Sequence, residues 1–253
     1  MSATLKDQMF MIVYAPALAV NDGRPLAVVH GMERAVPGLC IGLMISDEGQ
    51  LIPLQDRDAL VVRESRRGEF PNLRSIDDNF PVFVMGWGQP AGISPGGRAQ
   101  FEFHVKVPLS ADGIAAAAAL LEAAAEEAHA FWGLVTPFNA GVDIARQTKN
   151  LPDKREPPPR GLPVIKSPSA LRSPEIPHRL GWLNYWSDAG ARTIGFPDPA
   201  RDADLLSRSR RTATGGWVVR LTDAPLDLDN PAHLDVLKRA YERFPEIGGR
   251  SSP

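Results

Sequence analysis

An alternating strand followed at once by an alanine-rich helix is the feature that most constrains the fold. In residues 99–108, apolar and polar side chains alternate, which is typical of a strand with one buried and one solvated face. The apolar positions are Phe101, Phe103, Val105 and Val107. Eleven of the 20 residues in 111–130 are alanine, the strongest helix former, and so many small side chains favour close packing against a neighbour. Together the two elements favour helices packed on a sheet.

Other segments extend this pattern to an α+β fold. Apolar runs predict strands at 9–14, 39–45, 82–87, 181–186 and 217–222. Apolar side chains at helical spacing, bounded by capping residues, predict the clearest helices after Pro25, over 111–131 and after Asn230. We therefore expect a mixed or mostly antiparallel sheet with helices packed on it. His104, which lies on the polar face of 99–108, is expected to be solvated.

A basic, proline-rich segment divides the chain. Residues 151–178 contain eight prolines, and residues 146–179 carry eight basic side chains against three acidic ones. This composition is typical of an extended, semi-rigid linker or strap across the surface. We take 1–145 as an N-terminal part, 146–180 as the strap and 181–248 as a C-terminal part. Because the last part is small for an independent domain, we expect residues 1–253 to form a single α+β domain around one core.

Composition excludes several classes of protein. The formal net charge of −2 argues against a protein that coats nucleic acid. No stretch of about 20 apolar residues is present to span a membrane, and the leading segment lacks the net positive charge of a signal peptide. Cys40 is the only cysteine, so no internal disulfide can form, and its apolar neighbours in 39–45 predict a buried side chain. We expect a cytoplasmic protein.

The sequence contains no recognised catalytic or cofactor-binding motif. Glycine-rich nucleotide-binding loops, the zinc-protease motif and the serine-hydrolase elbow are absent, and one cysteine cannot make a zinc site of paired cysteines. Asp227, Asp229 and His233 come nearest to a metal site, but the same spacing suits a turn followed by a helix cap. We expect no cofactor, no metal and no enzymatic activity. A hydrolase with a dispersed metal site at these three residues stays as an alternative.

The predicted alanine-rich helix and the residues after it carry charge of one sign. Between Ser110 and Ala145 lie five acidic residues and no lysine or arginine. A one-signed acidic surface attracts a basic partner and speeds its association, although an ordinary solvated helix has the same pattern. If this surface binds a partner protein, Glu122, Glu126 and Glu127 are the expected contacts.

Five segments of the C-terminal part carry a resemblance to a known family. They are GWLNYWS at 181–187, GFP at 195–197, TGGW at 214–217, LT at 221–222 and DLDNPAHL at 227–234. Over about residues 180–248 the chain resembles the immunity protein 52 family of bacterial polymorphic toxin systems, and also an uncharacterised bacterial domain family with the same ending. The motif is aromatic and structural in character; its residues are Gly181, Trp182, Tyr185, Trp186, Gly216, Trp217 and Pro231.

The resemblance implies an immunity protein that neutralises a cognate bacterial toxin by stoichiometric binding, without turnover. The toxin it implies is a nuclease. Since a nuclease holds DNA phosphates with basic residues, an acidic surface formed by Glu122, Glu126 and Glu127 would fit the same groove. The expected partner is thus a toxin protein, with no direct contact to nucleic acid or membrane. The alternative is a structural or assembly module of a secretion system, with the proline-rich strap as its docking segment.

Overall fold

One antiparallel sheet organises the structure, a computed structural model that describes residues 5–148 and 157–250. Its strands are β1 (Gln8–Pro16), β2 (Ile41–Ile45), β3 (Leu51–Pro53), β4 (Glu69–Ser75), β5 (Phe83–Gln89), β6 (Gln100–Pro108), β7 (Trp132–Pro137), β8 (Leu183–Trp186), β9 (Arg210–Arg211) and β10 (Trp217–Arg220). Their order across the sheet is β3-β2-β4-β5-β6-β1-β7-β8-β10-β9. The α+β class and the antiparallel sheet expected from the sequence are confirmed.

Helices cover both faces of this sheet. They are α1 (Arg24–Ala35), α2 (Arg57–Ser65), α3 (Ala111–Glu127), α4 (Phe138–Ala145), α5 (Asp188–Thr193), α6 (Ala203–Ser207) and α7 (Pro231–Arg243). We call the face that packs against α3 the first face and the opposite one, which packs against α4, the second face. Within residues 5–148 and 157–250, no helix combines the length and the apolar character needed to cross a bilayer.

β1 lies at the centre of the sheet, between β6 and β7. On the first face its side chains Met11 and Val13 are completely buried. On the second face Phe10, Ile12 and Tyr14 are half-buried. Since successive side chains of a strand point to opposite faces, this apolar strand needs cover on both sides of the sheet.

β6 and α3 confirm the predicted strand and helix, with one correction. Phe103 and Val105 are completely buried on the first face. The other side of β6 is not solvated as expected, because Glu102 is only 8% exposed and His104 is half-buried. The reason is the central position of β6: long side chains of β5 and β1 lie beside its polar residues, and the ring of Trp87 lies 4.8 Å from that of His104.

The C-terminal part continues the same sheet. β7 pairs with β8, which places Trp132 opposite Trp186. Beyond β8, the sheet is extended by β10 and then by the short edge strand β9. Residues on both sides of the strap therefore contribute to one sheet and to one continuous group of buried apolar side chains.

The described portion of the strap, residues 157–180, lies against the body of the protein. Leu162, Ile165 and Ile176 are at most 3% exposed. The backbone N–H of Lys166 donates to the carbonyl oxygen of Gly248 at 2.9 Å. Residues 149–156, which also belong to the predicted strap, lie outside the described residues.

Cys40 is exposed, so the prediction of a buried side chain is wrong. The strand it precedes, β2, has only the short strand β3 beyond it at the sheet edge. Ile41 is buried, but the other residues of β2 are only half-buried. The Cys40 side chain lies near the Cα of Gly42, and the other side chain near that position is Ile76, which is itself exposed. Apolar neighbours in the sequence therefore did not ensure burial near the sheet edge.

The join between β6 and α3 depends on Gly113. The side chain of Ser110 caps α3 and accepts a hydrogen bond from the backbone N–H of Gly113 at 3.2 Å. A Cβ at position 113 would overlap the carbonyl oxygen of Pro108, which is a backbone atom and cannot rotate away. Only glycine therefore allows the helix to begin so close to the end of the strand.

We expect Gly113→Ala to lower the free energy of unfolding by about 2 kcal/mol or more, since the overlap forces β6 and α3 apart. Gly92→Ala is the matched control, because no atom lies within 4 Å of a Cβ at that position. Chemical denaturation of both variants measures the difference. Equal stability of the two variants would contradict the close approach described here.

Candidate functional site

The aromatic motif of the C-terminal part forms the inner layer of that part. Trp182 and Trp186 are at most 1% exposed. The indole Nε1 of Trp182 donates to the carbonyl oxygen of Thr222 at 2.8 Å. The ring of Trp186 packs edge-on against Phe196 and Phe244, with centroid distances of 5.1 and 5.3 Å. These residues hold the short strands and α7 together and are not available to a partner.

Other residues of the motif shape the backbone around this layer. Gly216 approaches β8 so closely that a Cβ there would lie 2.8 Å from the carbonyl oxygen of Trp186. Pro231 stands in the first turn of α7, where its missing N–H is not needed. Asn230 caps this helix by accepting a hydrogen bond from the backbone N–H of Ala232 at 3.0 Å.

Glu126 is the most highly connected of the three glutamates expected to contact a toxin, and its contacts are internal. Its carboxylate accepts hydrogen bonds from the hydroxyls of Tyr185 (2.7 Å), Thr212 (2.8 Å) and Thr214 (2.7 Å), and from the Thr214 backbone N–H (3.1 Å). Burial raises the pKa of this carboxyl, but the hydrogen bonds lower it by more, so the pKa lies below its ordinary value of 4.5. Glu126 thereby ties α3 to β8 and to the turn before β10.

Glu122 and Glu127 form ion pairs with side chains from outside α3. Glu122 pairs with Arg210 of β9, and Glu127 pairs with Arg34 of α1. The acidic charge of α3 is thus offset by its neighbours, and the surface is not of one sign. A role of these three glutamates in toxin binding stays a prediction. The structure shows that each of them already contacts another side chain of the same protein.

Asp227, Asp229 and His233 organise the start of α7. The backbone N–H of Asp229 donates to the Asp227 side chain at 2.9 Å, and that of Asp227 donates to His233 Nδ1 at 3.1 Å. Asp229 also pairs with Arg160 at 2.8 Å. Across the described portion of the chain, no group of three or more His, Cys, Asp and Glu side chains is arranged to hold a metal ion.

A cavity of about 250 Å³, which was not expected from the sequence, lies on the second face. Side chains of β1, β6 and β7 line it together with residues of α4 and of the strap. Its walls are mostly apolar and aromatic, with contributions from Phe10, Ile12, Tyr14, Trp132, Leu134 and Phe138. The sequence feature that could have indicated this cavity is segment 9–14, which is apolar at positions that point to both faces of the sheet.

A hydrogen-bonded cluster around Glu102 borders this cavity. The Glu102 carboxylate accepts from the Tyr14 hydroxyl at 3.2 Å and from the Gln89 amide at 3.0 Å, and it lies 2.6 Å from His104 Nε2. Burial and the negative charge of Glu102 raise the pKa of the Tyr14 hydroxyl far above its ordinary value. Tyr14 therefore remains a neutral donor, and its ring stacks on that of Trp132 at 4.3 Å.

Next to the Glu102 cluster, part of the second face is open to solvent. Trp87 of β5 is 37% exposed, and Phe83 and Met85 of the same strand are half-buried. On the first face, Val84 of this strand is completely buried. We call Phe83, Met85, Trp87 and the adjacent His104 the open face. An exposed tryptophan among partly exposed apolar side chains is typical of a contact surface.

His178 of the strap lies against the cavity and is only 2% exposed. Its Nε2 lies 2.9 Å from the carbonyl oxygen of Lys166, to which it donates. Burial, reinforced by the charge of the neighbouring Arg179, lowers the pKa of His178 from 6.5 to about 4. The side chain is therefore neutral at pH 7 in the folded protein.

The structure thus defines an α+β protein with an apolar cavity and an open aromatic surface on the same face of its sheet. Residues 20–252 match the family described as "Domain of unknown function (DUF5953)", and the chain belongs to that family. A search of curated proteins found no match.

Among solved structures, the fold is similar to that of a T6SS protein of Pseudomonas aeruginosa, PA0821. The two chains share 15% identity with a TM-score of 0.49, and the match covers 93% of this chain and 72% of the other. A likeness at this level carries no inference about this chain.

We expect Glu126→Gln to reduce the free energy of unfolding at pH 7 by about 1–2 kcal/mol, because a neutral amide is a weaker acceptor than a carboxylate. Since folding lowers the pKa of Glu126, its contribution is present above pH 4.5 and is lost as the pH falls through the folded value. In the Glu126→Gln variant, the free energy of unfolding should therefore fall less as the pH is lowered, because the contribution of the Glu126 carboxylate is already absent. Glu122→Gln, which alters a more exposed ion pair, serves as the control in denaturation at pH 7 and pH 4.

His178 should make the protein less stable as the pH falls from about 6.5 to about 4. In this window the unfolded chain binds a proton at residue 178 and the folded chain does not, which costs up to about 1.4 kcal/mol per pH unit. His178→Gln should flatten the stability profile between these pH values, and His129→Asn, at an exposed position, is the control substitution. Identical profiles for the His178 variant and the unaltered protein would show that His178 is not buried in its neutral form.

Proposed function

We propose that this protein is an immunity protein that binds a cognate bacterial toxin in a one-to-one complex and blocks it. The resemblance of the C-terminal motif to immunity protein 52 supports the class, and it also implies that the toxin is a nuclease. The single observation that carries a binding role is the open face, an aromatic surface left partly uncovered on an otherwise well-packed sheet.

Trp87 is the side chain on which we centre the contact. Large aromatic residues that are exposed in the free protein contribute disproportionately to binding when a partner covers them. Phe83 and Met85 extend the apolar surface along β5, and His104 provides a polar group beside the Trp87 ring. A surface of this kind has the apolar centre and polar border found in protein–protein interfaces.

The open face fits a partner better than α3 does. Glu122, Glu126 and Glu127 already have internal hydrogen bonds or ion pairs. A toxin that used them would have to replace these contacts, and the loss would offset part of the gain. Covering Trp87 does not require such contacts to be replaced, and it is favourable because it removes apolar surface from water.

The test begins with co-expression of the tagged protein and the neighbouring open reading frames of its own locus. A neighbour that is toxic alone, harmless with this protein and recovered with it at one-to-one stoichiometry supports the proposal. If no neighbour is toxic and none is recovered, the proposal fails. Stable oligomers of this chain without any partner favour the alternative of an assembly module.

Substitutions then locate the surface. We expect Trp87→Ala to weaken toxin binding at least about 30-fold, which corresponds to about 2 kcal/mol for a central contact. Val62→Ala is the matched control, since Val62 lies on α2 and has a similar exposure of 36%. The double variant Glu122→Gln/Glu127→Gln tests α3. Weaker binding by the double variant together with unchanged binding by Trp87→Ala would move the contact from the open face to α3.

A further inference from the structure

We propose that the cavity on the second face binds a small monocarboxylate with an apolar body, whose carboxylate pairs with Arg179. The volume of about 250 Å³ suits a compact ligand. The inference does not depend on the proposed immunity function, because it concerns the cavity between the sheet and α4, whose lining includes His104 but not Phe83, Met85 or Trp87.

Within residues 5–148 and 157–250, no carboxylate forms an ion pair with Arg179. This arginine lines the cavity and is half-buried, and its Nη2 donates to the Thr148 hydroxyl at 3.0 Å. Its Nε is buried and has no hydrogen-bond partner among the described residues. By contrast, Arg24, Arg57 and Arg243, whose side chains are each 16% exposed, all pair with carboxylates. A guanidinium that is partly buried without such a counter-charge costs free energy.

Two other lining residues contain unpaired polar atoms. Trp132 Nε1 and Thr136 Oγ1 are buried, and neither has a hydrogen-bond partner in the part of the chain that the structure describes. Buried polar groups without a partner are uncommon in folded proteins, because each costs free energy. Three polar atoms without a partner among the described residues therefore belong to residues that line one cavity, and the Arg179 guanidinium is the charged group among them.

The charges around the cavity select a monoanion. Glu102 already receives hydrogen bonds from Tyr14 and Gln89 and lies against His104, so its oxygens are not available to a ligand cation. Arg179 supplies one positive charge that forms no ion pair with the described carboxylates, and a planar carboxylate matches the geometry of a guanidinium. A dianion would bring a second charge into a mostly apolar space without a partner.

The remaining walls specify the body of the ligand. Phe10, Ile12, Leu134 and Phe138 surround the space with aliphatic and aromatic surface. An alkyl chain or a phenyl ring buried there would be stabilised by about 25 cal/mol for each Å² removed from water. The chemical class is therefore an alkyl or aryl carboxylic acid in its ionised form.

The test is isothermal titration calorimetry of the full chain with octanoate and 3-phenylpropanoate, and with octanamide and 3-phenylpropanamide as neutral controls. We expect saturable one-to-one binding of at least one acid, at least about ten-fold tighter than its amide, as one charge-assisted pair provides. If neither acid saturates, or if acid and amide bind equally well, the proposal is wrong.

Variants assign the binding to Arg179 and to the cavity. Arg179→Met keeps a long apolar stem but removes the charge, so it should reduce the affinity for the acid to that for the amide. Arg172→Met, at an exposed position of the same strap, is the matched control and should bind as the unaltered protein does. Val142→Phe fills the cavity from α4 and should abolish binding of acid and amide alike. Undiminished binding of the acid by Arg179→Met, or by Val142→Phe with an unchanged melting temperature, would overturn the assignment.

Discussion

The antiparallel pairing of β1 with β6 on one side and β7 on the other is the constraint on which the rest of the structure depends. β1 carries apolar side chains on both of its sides, so this register fixes two apolar faces at the centre of the sheet. A slip of one residue would exchange the faces of every side chain in the strand. On the first face Met11 and Val13 of β1 are completely buried, with α3 packed against this strand, whereas α4 and the strap cover the second face only in part. The cavity is the space that remains where this cover is incomplete.

The C-terminal part depends on the same centre. Its strands β8 and β10 have only four residues each, too few to be stable without a neighbour. β7 provides that neighbour by direct pairing, and Glu126 adds hydrogen bonds from α3 to Tyr185, Thr212 and Thr214. On the second face, the Tyr241 hydroxyl of α7 donates to the Gln147 side chain at 2.9 Å and accepts from the backbone N–H of Leu180 at 3.2 Å. Polar contacts of this kind join the two ends of the strap and hold the late strands in register with the early ones.

Much of the fold could be predicted from the sequence because its signals are local. The alternation in β6, the alanines of α3 and the Asn230 cap of α7 each specify an element from a few neighbouring residues. β7 was missed because it begins only five residues after α3, and a short apolar run cannot by itself be distinguished from the end of a buried helix. The cavity was missed for a different reason. Its residues on β1 and β7 are about 120 positions apart in the chain, and only the strand order brings them together.

The acidic and basic side chains illustrate why sequence could locate charges but not assign their roles. Glu126 belongs to an acidic segment, which made it a candidate for toxin binding, yet four internal hydrogen bonds account for its charge. Arg179 belongs to a basic strap that resembles any solvated linker, yet its buried Nε has no partner among the described residues. A charge that is satisfied within the protein stabilises the fold, and a new ligand must compete with the contacts already made. A charge held in an apolar wall without a counter-ion costs free energy until a ligand supplies one. For this reason, the state of hydrogen bonding, which only the three-dimensional structure shows, is what distinguishes Glu126, whose contacts stabilise the fold, from Arg179, on which we base the proposed ligand site.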